Sequence, residues 1–115
     1  MLRDDASLID IYNRIKQILT FAEGLTAEAL AKDKIRLGAI LYGFIVIGEA
    51  TKRLSPQFRA EHPEIPWKDM AGTRDVLAHQ YDKVDVIRLR RSIEVSLPEA
   101  LEKITLLLPE GYVER

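Results

Sequence analysis

The sequence predicts an all-α domain. Three observations carry this expectation. Apolar residues recur at spacings of three and four through every long segment, the signature of helices with one buried face. No stretch shows the strict apolar–polar alternation of a half-buried strand. Gly24, Pro56, Pro63, Pro66, Pro109 and Gly111 fall at the borders of the periodic segments, where helices stop and restart. The chain has 115 residues, enough for one hydrophobic core but not two, so a single domain over residues 1–115 is expected.

The first helix is marked by Leu8, Ile11, Ile15, Ile18 and Leu19, and Gly24 is its stop. A helical turn is expected over Thr26 to Ala31. Asp33 is placed to cap the second long helix, whose period runs through Leu37, Ile40, Leu41, Phe44, Ile47, Thr51 and Leu54. Ala39, Tyr42, Ile45 and Val46 fall between those positions. This helix is therefore apolar on more than one face and should be central to a bundle or face a partner. Gly38, Gly43 and Gly48 lie on it five apart, so they form no single stripe; each is expected to relieve crowding against a different neighbour.

Ser55 followed by Pro56 reads as a cap and first position of a short helix through about Ala60. The two prolines of His62 to Pro66 predict an extended segment. Trp67 to Ala78 resumes a helical pattern, with Trp67, Met70, Val76 and Leu77 facing the core. Gly72 within it points to close packing or a bend. Asp82 to Asp85 reads as a loop, and Asp85 caps a last helix through about Leu107. Pro98 predicts a kink or break in that helix, and Pro109 and Gly111 release a tail. The sum is a bundle of four main helices plus short helical segments.

Bulk properties exclude several functions. Net charge is −1, so no global field draws the chain to nucleic acid; a local grip on a few phosphates remains open. Absence of cysteine excludes disulfides and thiolate chemistry. Two histidines and no carboxylate cluster of ligand spacing leave no metal site, and no cofactor is expected. Phosphate-loop, dinucleotide and serine-hydrolase motifs are missing. The start lacks a basic, then apolar leader, and the longest apolar stretch, Ala39 to Gly48, is too short to span a bilayer. A cytoplasmic location is expected.

The segment Arg74-Asp75-Val76-Leu77-Ala78-His79-Gln80-Tyr81 concentrates chemistry. Arginine binds phosphate through a planar fork, and histidine transfers protons near neutral pH. Together they form a minimal kit for cleaving a phosphodiester. Metal-free RNA cleavage needs a base for the 2′-hydroxyl, an acid for the 5′-oxygen and positive charge at the phosphorane. On an ideal helix Arg74 and His79 are rotated by roughly 140°, a separation that loses importance if the helix ends at Ala78. One imidazole does not easily perform both proton transfers. A two-fold dimer would bring two copies of Arg74 and His79 into one cleft.

Each of these residues also has a plainer reading. Arg74, His79 and Tyr81 can cap carbonyls or fill a rim at a helix end. Asp75 either orients the imidazole or an arginine, or is a solvated surface carboxylate. Glu49, alone in an apolar stretch, emerges at an edge or finds a partner, Arg74 being one candidate. His62, ahead of a proline in an expected loop, reads as structural or incidental. The run Arg88-Leu89-Arg90-Arg91 is either a solvated face or a phosphate-tracking groove.

At this point the chain resembles a known family. RDVLAHQY matches the R-x4-6-H signature of HEPN domains, in the R-x4-H-x-Y form. With Gly48-Glu49-Ala50 and Pro63-Glu64-Ile65-Pro66-Trp67 ahead of it, the ordered set is similar to HepT toxins of HEPN/MNT toxin–antitoxin systems. The resemblance spans essentially the whole chain. It implies a HEPN-like bundle that dimerises around the motif and acts as a metal-independent ribonuclease, with transfer RNA as a substrate class. Arg74 and His79 would be catalytic, and Asp75 the polar residue that commonly follows the arginine. It further implies a minimal nucleotidyltransferase antitoxin that moves AMP from ATP onto the motif tyrosine, here Tyr81. Two non-catalytic alternatives use the same residues: a nucleotide- or partner-binding module, and an assembly subunit of a nucleotidyltransferase complex.

Overall fold

The computed structural model describes residues 3–72 and 85–112. The core begins with two long helices laid against each other, α1 (Arg3–Ala22) and α3 (Lys34–Arg53). From α1, Leu8, Ile11, Ile15 and Ile18 are essentially inaccessible to water; from α3, Ile40, Leu41, Ile47, Ala50 and Thr51 are too. Each large aliphatic side chain buried in this seam contributes roughly 1.5–3 kcal/mol. The Thr51 hydroxyl is kept satisfied in this apolar seam by donating to the Ile47 carbonyl at 2.7 Å.

The connections obey local capping chemistry. Gly24 adopts φ 77°, the left-handed region that glycine enters without a Cβ penalty, and ends α1. Thr26 caps the short α2 (Ala27–Lys32) by accepting from the Ala29 amide. Asp33 accepts from the Arg36 amide and starts α3. Ser55 caps α4 (Pro56–Glu61), with Pro56 in the first turn. A further helix, α5, begins at Trp67 and is described over residues 67–72. Its Trp67 and Met70 are buried as expected, while Val76 and Leu77 lie outside the described residues. The described residues contain no strand, in agreement with the all-α expectation.

Two expectations are corrected and a third is narrowed. His62 to Pro66 is not extended but folds into a tight turn, with the Ile65 amide bonded to the His62 carbonyl and Trp67 N–H to the Ile65 carbonyl. The cause is tertiary: Ile65 is buried, and the Trp67 indole N–H donates to the His62 carbonyl at 2.8 Å. Of the two readings of Gly72, close packing finds no neighbour among the described residues, where an added Cβ would meet no atom, and a bend would fall where the chain passes outside them. The tail does not leave at Pro109 and Gly111, since Tyr112 turns back to α1, edge-on to Tyr12 at 6.1 Å.

Pro98 acts more gently than a break. Asp85 caps α6 (Val86–Arg91) with bonds from Ile87 and Arg88. A π-helical turn, Ser92–Ser96, then leads into α7 (Leu97–Thr105). Arg91, Ser92, Ser96 and Leu97 all keep right-handed helical dihedrals. Pro98 has no N–H for the Glu94 carbonyl, and its ring would press on that carbonyl. The wider turn, in which the Leu97 amide bonds to the Ser92 carbonyl, absorbs the mismatch without interrupting the helix.

Gly43 sets the distance between α1 and α3. A Cβ there would lie 2.8 Å from Ile18 Cγ1 and 2.9 Å from its Cδ1. Gly43→Ala gains about 1 kcal/mol of helix propensity but overpacks this contact at a cost of about 1–3 kcal/mol. We expect net destabilisation in urea melts, shrinking in the Ile18→Ala background where both Cγ1 and Cδ1 are gone. An equal effect in both backgrounds would show that the contact is not what opposes the methyl group.

The N-terminal turn of α1 is tied to the α3–α4 corner through Asp4. Its carboxylate accepts from the Ser55 amide at 2.8 Å and from the Ser55 hydroxyl at 2.7 Å. These two bonds hold the Asp4 carboxyl below its ordinary value of 3.8. The folded-state value is depressed, so the stabilisation is present above the unfolded value and lost as pH falls through the folded one. Asp4→Asn should cost about 1 kcal/mol near neutrality, the group being partly exposed. The difference between the two proteins should narrow as pH falls below the ordinary carboxylate range and close once Asp4 is protonated in both states. Urea midpoints measured across that range test this, and a constant difference would contradict it.

Candidate functional site

The residues selected from sequence as chemical, Arg74, Asp75, His79 and Tyr81, lie outside the described residues. The described fold defines the two ends from which they are carried. α5 leads in through the buried Trp67 and Met70, and the capped Asp85 leads out into α6. Glu49 is half-buried on α3, one turn before the Arg53 end. Upstream of it, Ile35, Ala39, Tyr42 and Val46 share one stripe of α3 by helical spacing, with Ile35 87% and Tyr42 58% exposed. The expectation that α3 is apolar beyond its core face is met by this stripe.

The corner that precedes α5 is rigidly built. Phe58 packs between His62, at 4.7 Å between ring centroids, and Trp67, at 6.1 Å. The Lys103 ammonium reaches from α7 to the Glu64 carbonyl at 3.1 Å. His62 also lies with Nδ1 3.6 Å from Glu64. It therefore serves this corner, as its position beside Pro63 suggested.

Beside this corner lies an open groove of about 560 Å³. Its lining combines Lys52 from α3, Arg59 from α4, and Trp67, Lys68 and Gly72 from α5. Three cations and no carboxylate line it among the described residues. Among the described residues its lining reaches Gly72, two positions before Arg74 in the sequence. Sequence reasoning did not find this groove, because its cations are single residues on three helices and form no local run.

The dense basic run fares differently. Arg88 and Arg91 are exposed, and Arg90 pairs with Glu94 at 3.0 Å, so the run forms a solvated, partly neutralised face. No group of three potential metal ligands occurs among the described residues. No described helix is long and apolar enough to cross a membrane.

The described residues form an all-helical bundle, and the Arg74–Tyr81 segment falls in the sequence between residue 72 of α5 and Asp85. The family model described as "Ribonuclease HepT-like" matches residues 11–107. Similar proteins include one named "Probable ribonuclease HepT" in Thermococcus cleftensis, 37% identical over 91 residues, covering 79% of this chain and 83% of that one. A protein of Methanocaldococcus jannaschii, named as a candidate RNase, is 34% identical over 94 residues, 82% of this chain and 81% of its own. Another, from Caldanaerobacter subterraneus and named in the same way, is 38% identical over 81 residues, 70% and 71% of the two chains. No solved structure shows a significant match. The chain belongs to the HepT-like ribonuclease family.

Proposed function

We propose that this chain is the toxin of a HEPN/MNT toxin–antitoxin system, an RNA endonuclease that works without a metal ion and acts on transfer RNA. The observation that carries this reading is the coincidence of family membership with an intact Arg74–His79–Tyr81 motif. His79 would move protons between the 2′-hydroxyl, which attacks phosphorus, and the 5′-oxygen, which leaves. Arg74 would hold the charge that develops on the phosphorane oxygens. Asp75 would orient one of these two groups, and Glu49 would support them from α3.

Two proton transfers and one imidazole per chain favour a homodimer whose motif segments meet at a two-fold axis. The exposed α3 stripe of Ile35 and Tyr42 supports such an assembly. A stable interface would bury about 1,200–2,000 Å² in total. Tyr42→Glu is expected to shift the protein toward monomer in sedimentation and to lower cleavage with it. A fully active monomer at micromolar concentration would overturn the dimeric site.

Neutralisation is assigned to Tyr81. A partner nucleotidyltransferase would transfer AMP to its phenol oxygen, with pyrophosphate leaving from ATP. The added phosphate lies two positions from His79 in the chain and brings negative charge where RNA phosphate must bind.

The test is one set of cleavage assays on transfer RNA. Wild type should cut in EDTA, and His79→Ala and Arg74→Ala should lose roughly 10²–10⁴-fold while remaining folded. Restoration of an EDTA-silenced enzyme by a divalent ion would contradict the mechanism. With partner and ATP, wild type should gain the mass of AMP and fall silent. Tyr81→Phe should gain none and keep cutting. If Tyr81→Phe gains the same mass, the regulatory part fails and the nuclease part stands.

A further inference from the structure

We infer that the groove between α3, α4 and α5 is a binding track for the RNA sugar–phosphate backbone flanking the cleavage point, an inference that rests on the ribonuclease reading above. The argument starts from charge. The whole chain carries −1, yet this groove is lined by Lys52, Arg59 and Lys68 with no carboxylate among the described residues. A cationic cleft on a molecule whose remaining charge is net negative concentrates anions locally. Its position adds to this, because it runs to Gly72, where the chain passes on toward Arg74.

Arg59 supplies a separate observation. Its Nε is buried and has no hydrogen-bond partner among the described residues. Buried donors are nearly always satisfied, so such an orphan calls for an explanation. A guanidinium fork matches two oxygens of a phosphate. A small side-chain rotation toward the groove would let an anionic oxygen complete it. Lys68, exposed on the first turn of α5, adds a mobile point charge. Trp67 forms the wall but is only 6% exposed, which leaves no open ring face for stacking a base. The track therefore reads charge and not sequence. A phosphate chain fits these features better than an acidic peptide, since a guanidinium fork beside separated ammonium groups matches regularly repeated phosphates.

The probe is a labelled single-stranded 2′-O-methyl oligonucleotide. It lacks the attacking hydroxyl, so binding is read without cleavage. Wild type should bind with a steep salt dependence. Arg59→Gln and Lys68→Gln should each weaken binding roughly three- to ten-fold and reduce the slope of log affinity against log salt by roughly 0.7. Arg88→Gln and Arg91→Gln should leave both unchanged. Lys68 is exposed, so its variant tests the track even if Arg59→Gln fails to fold. Wild-type affinity and slope in folded Lys68→Gln would overturn the proposal, as would a loss confined to Arg88 and Arg91. Binding of polyglutamate with this variant dependence, and of no oligonucleotide, would make the groove a protein-docking surface and the proposal wrong. Groove-dependent binding by a wild type that leaves unmodified RNA uncut would uphold the track and refute the ribonuclease reading.

Discussion

The close approach of α1 and α3 is the constraint on which the rest of the molecule depends. Gly43 leaves room for Ile18, and the two 20-residue helices interlock along their length. This seam creates the apolar surface on which the shorter elements settle. Leu30 of α2, Ile65 of the turn before α5, and Ile93, Leu97 and Ile104 of the last helix all bury there. None of those elements buries enough surface alone to offset the entropy of ordering it. Widening the seam would therefore loosen elements that do not touch Gly43 at all.

A second layer of fixed geometry positions the groove. Asp4 secures Ser55, and Ser55 caps α4 through the Phe58 amide. Phe58 then bears on His62 and Trp67. The chain of contacts runs from the first turn of α1 to the first turn of α5, entirely through short-range bonds and ring contacts. It holds Arg59 and Lys68 on opposite sides of a turn that the two prolines alone would have left open. A polar tie at a helix start thus shapes a basic surface far along the sequence. The energies are individually modest, but each acts on a corner already restrained by the buried Ile65 and Trp67.

The helices and their caps were legible in the sequence because their causes are local. Asp33, Ser55 and Asp85 each accept from an amide two or three residues ahead, so type and spacing suffice to place them. Gly24 needs only its own backbone freedom. The buried face of α1 follows from a period of 3.6 residues. The segment Arg74 to Tyr81 stands out in the sequence because it is contiguous, and it lies outside the described residues.

What the tertiary structure decided shares a different physical origin. The turn at His62 to Pro66 is closed by Ile65 entering the core and by the Trp67 indole, against the extended preference of the prolines. Pro98 is absorbed in a π turn because Ile93, Leu97 and Ala100 keep the helix seated on the core on both sides of it. Tyr112 returns to Tyr12 through a ring contact that spans nearly the whole chain. The groove joins Lys52, Arg59 and Lys68 from three helices whose relative placement no local spacing encodes. By itself the sequence determined the helical elements and the caps at Asp33, Ser55 and Asp85, because propensity and hydrogen bonding act over a few residues. Only packing decided which isolated cations share a surface, because burial of apolar side chains far apart in the chain sets where helices cross.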